Sequence, residues 1–123
     1  MNSANQFNEV FFGTPENSPQ QLQLFALLNL GIIQSLSSGV ISVSEAISQF
    51  YNADNCLYVR KHIRNKEADA IMSHGVQLTD LFESLPVEEA QREFLHELET
   101  MRSLCLKILE IERFSNTAKR AIA

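Results

Sequence analysis

Basic residues are missing from almost the first half of this chain. Residues 1–59 contain no lysine or arginine, and the whole sequence of 123 residues has 10 Lys+Arg against 15 Asp+Glu, a formal net charge of -5. Proteins dedicated to nucleic acids or membrane surfaces need an excess of positive charge facing phosphate. The charge balance therefore argues against both classes and leaves only weak or regulated DNA binding open.

Glycine, proline and cysteine are also scarce. Four glycines and three prolines exclude collagen-like and proline-rich chains, and a hydrophobic share of 45% excludes a wholly disordered one. The length then predicts one soluble domain with a single core. Cys56 and Cys105 lack C-x-x-C spacing, so we expect free, reduced thiols in the cytosol.

No apolar run is long enough to cross a bilayer. The most apolar segment, residues 22–36, is interrupted by Gln23, Asn29, Gln34 and Ser35 and falls short of the roughly 20 apolar residues needed. The sequence also begins MNSANQF, without the basic start and apolar run of a secretion signal. We therefore expect a cytoplasmic protein with no transmembrane segment and no membrane partner.

The first 18 residues predict an irregular N-terminal arm. They are rich in Asn, Gln and Ser and contain the breakers Gly13 and Pro15. A disordered tail gains nothing from clustered aromatic residues. We therefore expect Phe7, Phe11 and Phe12 to dock onto the rest of the molecule. A short strand or a turn of helix within the arm is the alternative.

Capping signals divide the remaining chain into helices. Ser18 before Pro19 starts a helix that Gly39 ends, and Ser42 with Glu45 forms a capping box that opens a shorter one. Helical segments follow at about residues 56–64 and 66–74, with Gly75 as a stop signal and residues 76–78 as loop. Thr79 then caps a single turn.

The C-terminal third predicts one long amphipathic helix after Pro86. Apolar residues recur there at spacings of three and four: Ala90, Phe94, Leu98, Met101, Cys105 and Ile108. The expected class is an all-α, single-domain bundle of four to five helices with a long C-terminal helix. The helical domain should cover residues 19–114, and residues 115–123 should form a frayed C-terminal tail.

The first predicted helix has no charged side chain, and its apolar residues cover more than one face. Such a helix needs cover on most sides, which either the bundle or a second subunit can supply. Small domains run short of core. We therefore place a possible homodimer interface at Leu24, Leu27, Leu28 and Ile32.

The segment at residues 42–65 resembles a helix-turn-helix. Its second half concentrates basic charge, so Arg60, Lys61 and Arg64 form a possible nucleic-acid surface. The turn lacks the usual glycine and is long. A basic helix that packs within the bundle and faces solvent is the alternative interpretation.

Residues for catalysis or for holding a cofactor are not evident. Glu93 and His96 have the E-x-x-H spacing of di-iron bundles, but a second pair is missing, so we expect neither a metal nor another cofactor. Arg60 lies four residues after Cys56 and raises the possibility of a reactive thiolate there, whereas burial is the commoner fate of a free cysteine. Phosphate-loop, dinucleotide and zincin motifs are absent. The sequence predicts a protein that is not an enzyme.

Three stretches resemble small bacterial helical proteins that form families of unknown function: LGII at residues 30–33, LSSGVISVSEA at residues 36–46 and GVQLTDL at residues 75–81. That resemblance implies no activity. From the residues themselves we expect a non-enzymatic helical protein that acts through protein contacts, with itself as the partner in a homodimer. A small DNA-binding regulator is the alternative.

Overall fold

A computed structural model describes the backbone of residues 6–122 and the side chains of residues 6–111. Within residues 6–122 every regular element is helical: α1 (Phe7–Val10), α2 (Pro19–Ser37), α3 (Val43–Gln49), α4 (Ala53–Tyr58), a π-helical turn (Val59–Ile63), α5 (Lys66–Val76), α6 (Leu78–Ser84) and α7 (Val87–Ile122). The predicted all-α single domain with a long C-terminal helix is confirmed. Helix α7 extends through residues 115–122, beyond the predicted end of the helical domain at residue 114. Fraying of these residues stays a prediction.

Two predicted helix starts are confirmed in atomic detail. The Gln21 N–H donates to Ser18 Oγ at 3.1 Å, and Pro19 occupies the first helical position of α2. At α3 the Glu45 N–H donates to Ser42 Oγ, and the Ser42 N–H donates back to the Glu45 carboxylate at 2.9 Å. Both caps satisfy amide groups that a helix leaves unpaired at its start.

Helix α7 is the spine of the bundle and packs against α2, α5 and α6. Its predicted apolar face is buried at Ala90, Leu98, Met101, Cys105 and Ile108, and Phe94 is half-buried. Apart from Ala90, these side chains meet Phe25, Ile33 and Ile71 and their neighbours in one core. The 3.6-residue period of the sequence therefore correctly identified the face of α7 that the bundle covers.

The N-terminal arm contributes to that core. Phe7 and Phe11 are buried, with ring centroids 5.4 Å apart in an edge-to-face contact, and the Phe7 N–H donates to the buried Asn55 Oδ1 at 3.0 Å. Docking of these two phenylalanines is therefore confirmed. Phe12 is wrongly predicted to dock, since 88% of it is exposed.

The region around α5 departs from the sequence prediction. Gly75 is the penultimate residue of α5, which ends at Val76, two residues later than predicted, and a Cβ built on Gly75 would meet Tyr51 Cγ at 2.5 Å. The predicted loop at residues 76–78 is only a junction, because α6 begins at Leu78. Thr79 lies within α6, whose start has no side-chain cap among the described residues. The close approach of the Tyr51 ring, and not the end of the helix, explains why residue 75 is a glycine.

Candidate functional site

One face of α2 remains exposed along the middle of the helix. Between residues 20 and 34 the exposed positions of α2 recur at alternating spacings of four and three, and we call them the α2 stripe: Gln20, Leu24, Leu27, Gly31 and Gln34. Leu24 is 37% exposed and Leu27 is 57% exposed. The stripe has an apolar middle, polar ends and no charge, which is unusual for the solvent side of a helix.

The opposite face of α2 is fixed by burial and by one polar anchor. Phe25, Ile33 and Leu36 enter the core, and Asn29 lies among them with no exposed surface. The Tyr51 hydroxyl donates to Asn29 Oδ1 at 2.9 Å, and Asn29 Nδ2 donates to the Phe25 carbonyl at 3.0 Å. A buried amide with both ends satisfied sets the rotation of α2 and so leaves the stripe facing outward.

The four predicted interface residues have different environments. Leu24 and Leu27 are exposed, whereas Leu28 is half-buried and packs against the core. Ile32 is only 4% exposed. Its side chain is buried within one subunit and offers little accessible surface to a partner. The interface prediction itself stays untested, but its free apolar surface narrows to Leu24, Leu27 and the outer side of Leu28.

An apolar groove of about 340 Å³ runs beside the stripe. It lies between the C-terminal half of α2 and the chain around α3, and its lining residues are Leu28, Gly31, Ile32, Ser35, Ile41 and Phe50. A Cβ built on Gly31 would meet no described atom within 4 Å outside its own helix. The missing side chain therefore leaves one wall of the groove open.

The predicted nucleic-acid surface is exposed but irregular. Arg60, Lys61 and Arg64 all face solvent. Arg60 and Lys61 lie in the π-helical turn, and Arg64 ends that turn with a left-handed φ of 55° and donates from Nε to the Lys61 carbonyl at 3.1 Å. The predicted second helix of a helix-turn-helix is thus α-helical only up to Tyr58. DNA binding stays a prediction.

The arm also covers part of this basic element. His62 contacts the Glu16 carboxylate through Nδ1, and its carbonyl accepts the Asn17 N–H at 3.1 Å. The Tyr58 ring stacks on Phe11, with centroids 5.9 Å apart. A segment with an acidic residue therefore lies against one side of the element proposed to meet phosphate.

Neither cysteine has the setting of a reactive thiol. Cys56 lines a mixed cleft of about 290 Å³ that Arg60, Asp69 and Ser73 share. Burial is the main reason that the pKa of Cys56 is raised; Arg60 lowers the pKa less, and Asp69 raises it. Burial raises the pKa of the Cys105 thiol to about 12. The pKa of Cys56 is shifted up, whereas the thiolate hypothesis requires it to be shifted down, because loss of hydration outweighs the effect of the nearby guanidinium.

Two of the three histidines contact a carboxylate on another segment of the chain: His62 with Glu16 and His74 with Glu97. His74 Nδ1 lies 2.7 Å from Glu97 Oε1, which joins α5 to α7. Sequence reasoning missed this pair, because nothing local links residues 23 positions apart. Glu93 and His96 are both exposed, and the described residues contain no cluster of three or more His, Cys, Asp or Glu that could hold a metal ion.

These features define a small all-α domain whose described helices include none long and apolar enough to cross a membrane. A family model for proteins of unknown function, DUF3969, matches residues 16–122. The chain belongs to the DUF3969 family, as the resemblance to an uncharacterised helical family led us to expect. Comparisons with curated proteins and with solved structures found no match.

Proposed function

We propose that this protein acts in the cytoplasm through protein–protein contacts, as a homodimer joined along the α2 stripe, and that it catalyses no reaction. The observation that carries the proposal is the exposure of Leu24 and Leu27 in the middle of a helix with no charge. Burial of an exposed leucine contributes up to about 2 kcal/mol. A complex in which a partner covers this face is therefore stabilised by the burial of each leucine.

The charge distribution directs contact between two copies to the α2 stripe. Each chain carries a net charge of -5, so most faces of two copies repel one another when they meet. A symmetric interface places the same patch of both copies together. The uncharged stripe allows this contact without bringing like charges close.

The environments of the reactive side chains support a non-enzymatic role. His62 contacts Glu16 of the N-terminal arm, and His74 on α5 contacts Glu97 on α7. Loss of hydration raises the pKa of both thiols, at half-buried Cys56 and at buried Cys105. Contacts within the fold therefore occupy these two histidines, and neither thiol is activated as a nucleophile, which supports a role in protein contacts.

The test is solution molar mass across a dilution series for wild type, Leu27→Glu and a matched control, Leu95→Glu. Leu95 lies on α7 and is 56% exposed, against 57% for Leu27. We expect wild type and Leu95→Glu to form dimers at concentrations where Leu27→Glu is monomeric, because only the latter buries a charge at the interface. A wild type that is monomeric throughout, or equal disruption by both variants, would overturn the proposal.

A further inference from the structure

We infer that the two α2 helices of the homodimer run antiparallel across a two-fold axis beside Leu27 and Leu28. In this arrangement the groove beside Gly31 binds Leu24 of the partner subunit. The inference rests on the proposed dimer and adds to it the occupant of the groove and the direction of the helices. It follows from the order of residues along the α2 stripe together with the shape of the groove.

The stripe is nearly symmetric about its centre. Leu24 lies on one side of residues 27 and 28, and Gly31 lies equally far on the other. An antiparallel pair therefore brings each Leu24 opposite a Gly31 and each Gln20 opposite Gln34 or Ser35. The large residue meets the absent side chain, and the polar ends meet each other.

The groove supplies the matching hollow. Its walls at Leu28, Ile32 and Phe50 are apolar, and Gly31 leaves the side toward the stripe open. A leucine from an opposing helix enters between side chains in this way wherever helices interlock. Leu24 is exposed on the same face, so the same surface offers both the projecting group and the hollow that receives it.

A parallel pair uses these features less well. It brings Gly31 opposite Gly31 and Leu24 opposite Leu24, which leaves the groove empty and crowds two leucines. It also aligns two helix dipoles, whose ends carry no compensating charge because the first turn of α2 has no acidic residue and its last turn no basic one. Packing and electrostatics both favour the antiparallel arrangement.

Cysteine cross-linking tests the direction of the helices. In a Cys56→Ala background, Gln20→Cys and Gln34→Cys are treated with a short bifunctional maleimide, separately and as a mixture. In the antiparallel dimer the two copies of residue 20 are separated by 15 helical positions, about 22 Å. We expect little covalent dimer from either variant alone and at least tenfold more from the mixture. The background protein without an added cysteine controls for Cys105.

The outcomes separate this inference from the proposed function. Efficient cross-linking of each single variant with itself would indicate a parallel pair and overturn the inference while leaving the dimer intact. Molar mass of a monomer would overturn both. Gly31→Leu provides a second measurement, because it fills the groove while its Cβ meets no described atom outside α2. We expect an unchanged helical circular dichroism spectrum and a dimer affinity at least tenfold weaker than that of wild type. An unchanged dimer affinity would contradict the binding of the partner subunit's Leu24 in the groove.

Discussion

Gly31 and Gly75 are both glycines within a helix, yet their surroundings differ completely. A Cβ at Gly75 would lie 2.5 to 2.7 Å from three atoms of the Tyr51 ring, whereas one at Gly31 would meet no described atom within 4 Å beyond α2. Glycine destabilises a helix interior by about 1 kcal/mol relative to alanine. At Gly75 the close approach of a buried ring offsets that cost within one subunit. At Gly31 no contact among the described residues does so, which is consistent with an offset supplied by a second subunit.

The first way to test this comparison is Gly75→Ala, for which we expect the largest effect. The added methyl group overlaps the base of the Tyr51 ring, and Tyr51 is only 1% exposed and cannot turn away. Overpacking of this kind destabilises by about 3 kcal/mol. Urea unfolding followed by circular dichroism measures the loss. Stability equal to that of wild type would show that the ring and helix separate freely and would remove one side of the comparison.

A smaller loss is expected from Tyr51→Phe, which keeps the ring against Gly75 but deletes the hydroxyl. Asn29 Oδ1 then loses the donor at 2.9 Å while it remains buried. An unsatisfied buried acceptor costs about 1.5 kcal/mol. The same unfolding experiment measures it, with Tyr58→Phe as the control because that hydroxyl is less buried and accepts a longer bond from Gln21 at 3.3 Å. Equal losses in the two variants would refute a special role for the Asn29 anchor.

The smallest effect, of opposite sign, is expected from Gly31→Ala. In the monomer the new methyl group faces open space, so the gain in helix propensity should raise the free energy of unfolding by about 1 kcal/mol. The measurement must be made at a dilution at which the wild type is monomeric, since dimerisation adds its own stability. A loss of monomer stability would mean that Gly31 has a role within the subunit and would contradict the contrast with Gly75.

Helix starts were predictable where one side chain and one nearby amide settle the matter. Ser18 and Ser42 cap α2 and α3 as predicted, and Gly39 has the positive φ of 75° expected beyond a helix end. Asn52 and Asn65 also accept amide hydrogen bonds as N-caps, at the starts of α4 and α5. Asparagine is a favoured N-cap residue, so the sequence carries that signal at both positions.

The candidate site was predictable only in part. The absence of charged residues marks α2 as unusual in the sequence. It does not indicate that Leu27 is exposed and Ile32 buried. Both are apolar and five residues apart, so the choice depends on how Asn29 and Tyr51 turn the helix against α7. The groove also needs Ile41 and Phe50, which lie outside α2.

By itself the sequence determined the helical class, the caps of α2 and α3, and the buried face of α7. Those features depend on hydrogen bonds and side-chain periodicity within a few residues of the chain. Only the tertiary structure decided that Gly75 continues a helix, that His74 meets Glu97, and that the middle of α2 faces outward. Each of these depends on contacts between residues far apart in the chain, and local sequence patterns do not encode which distant surfaces meet.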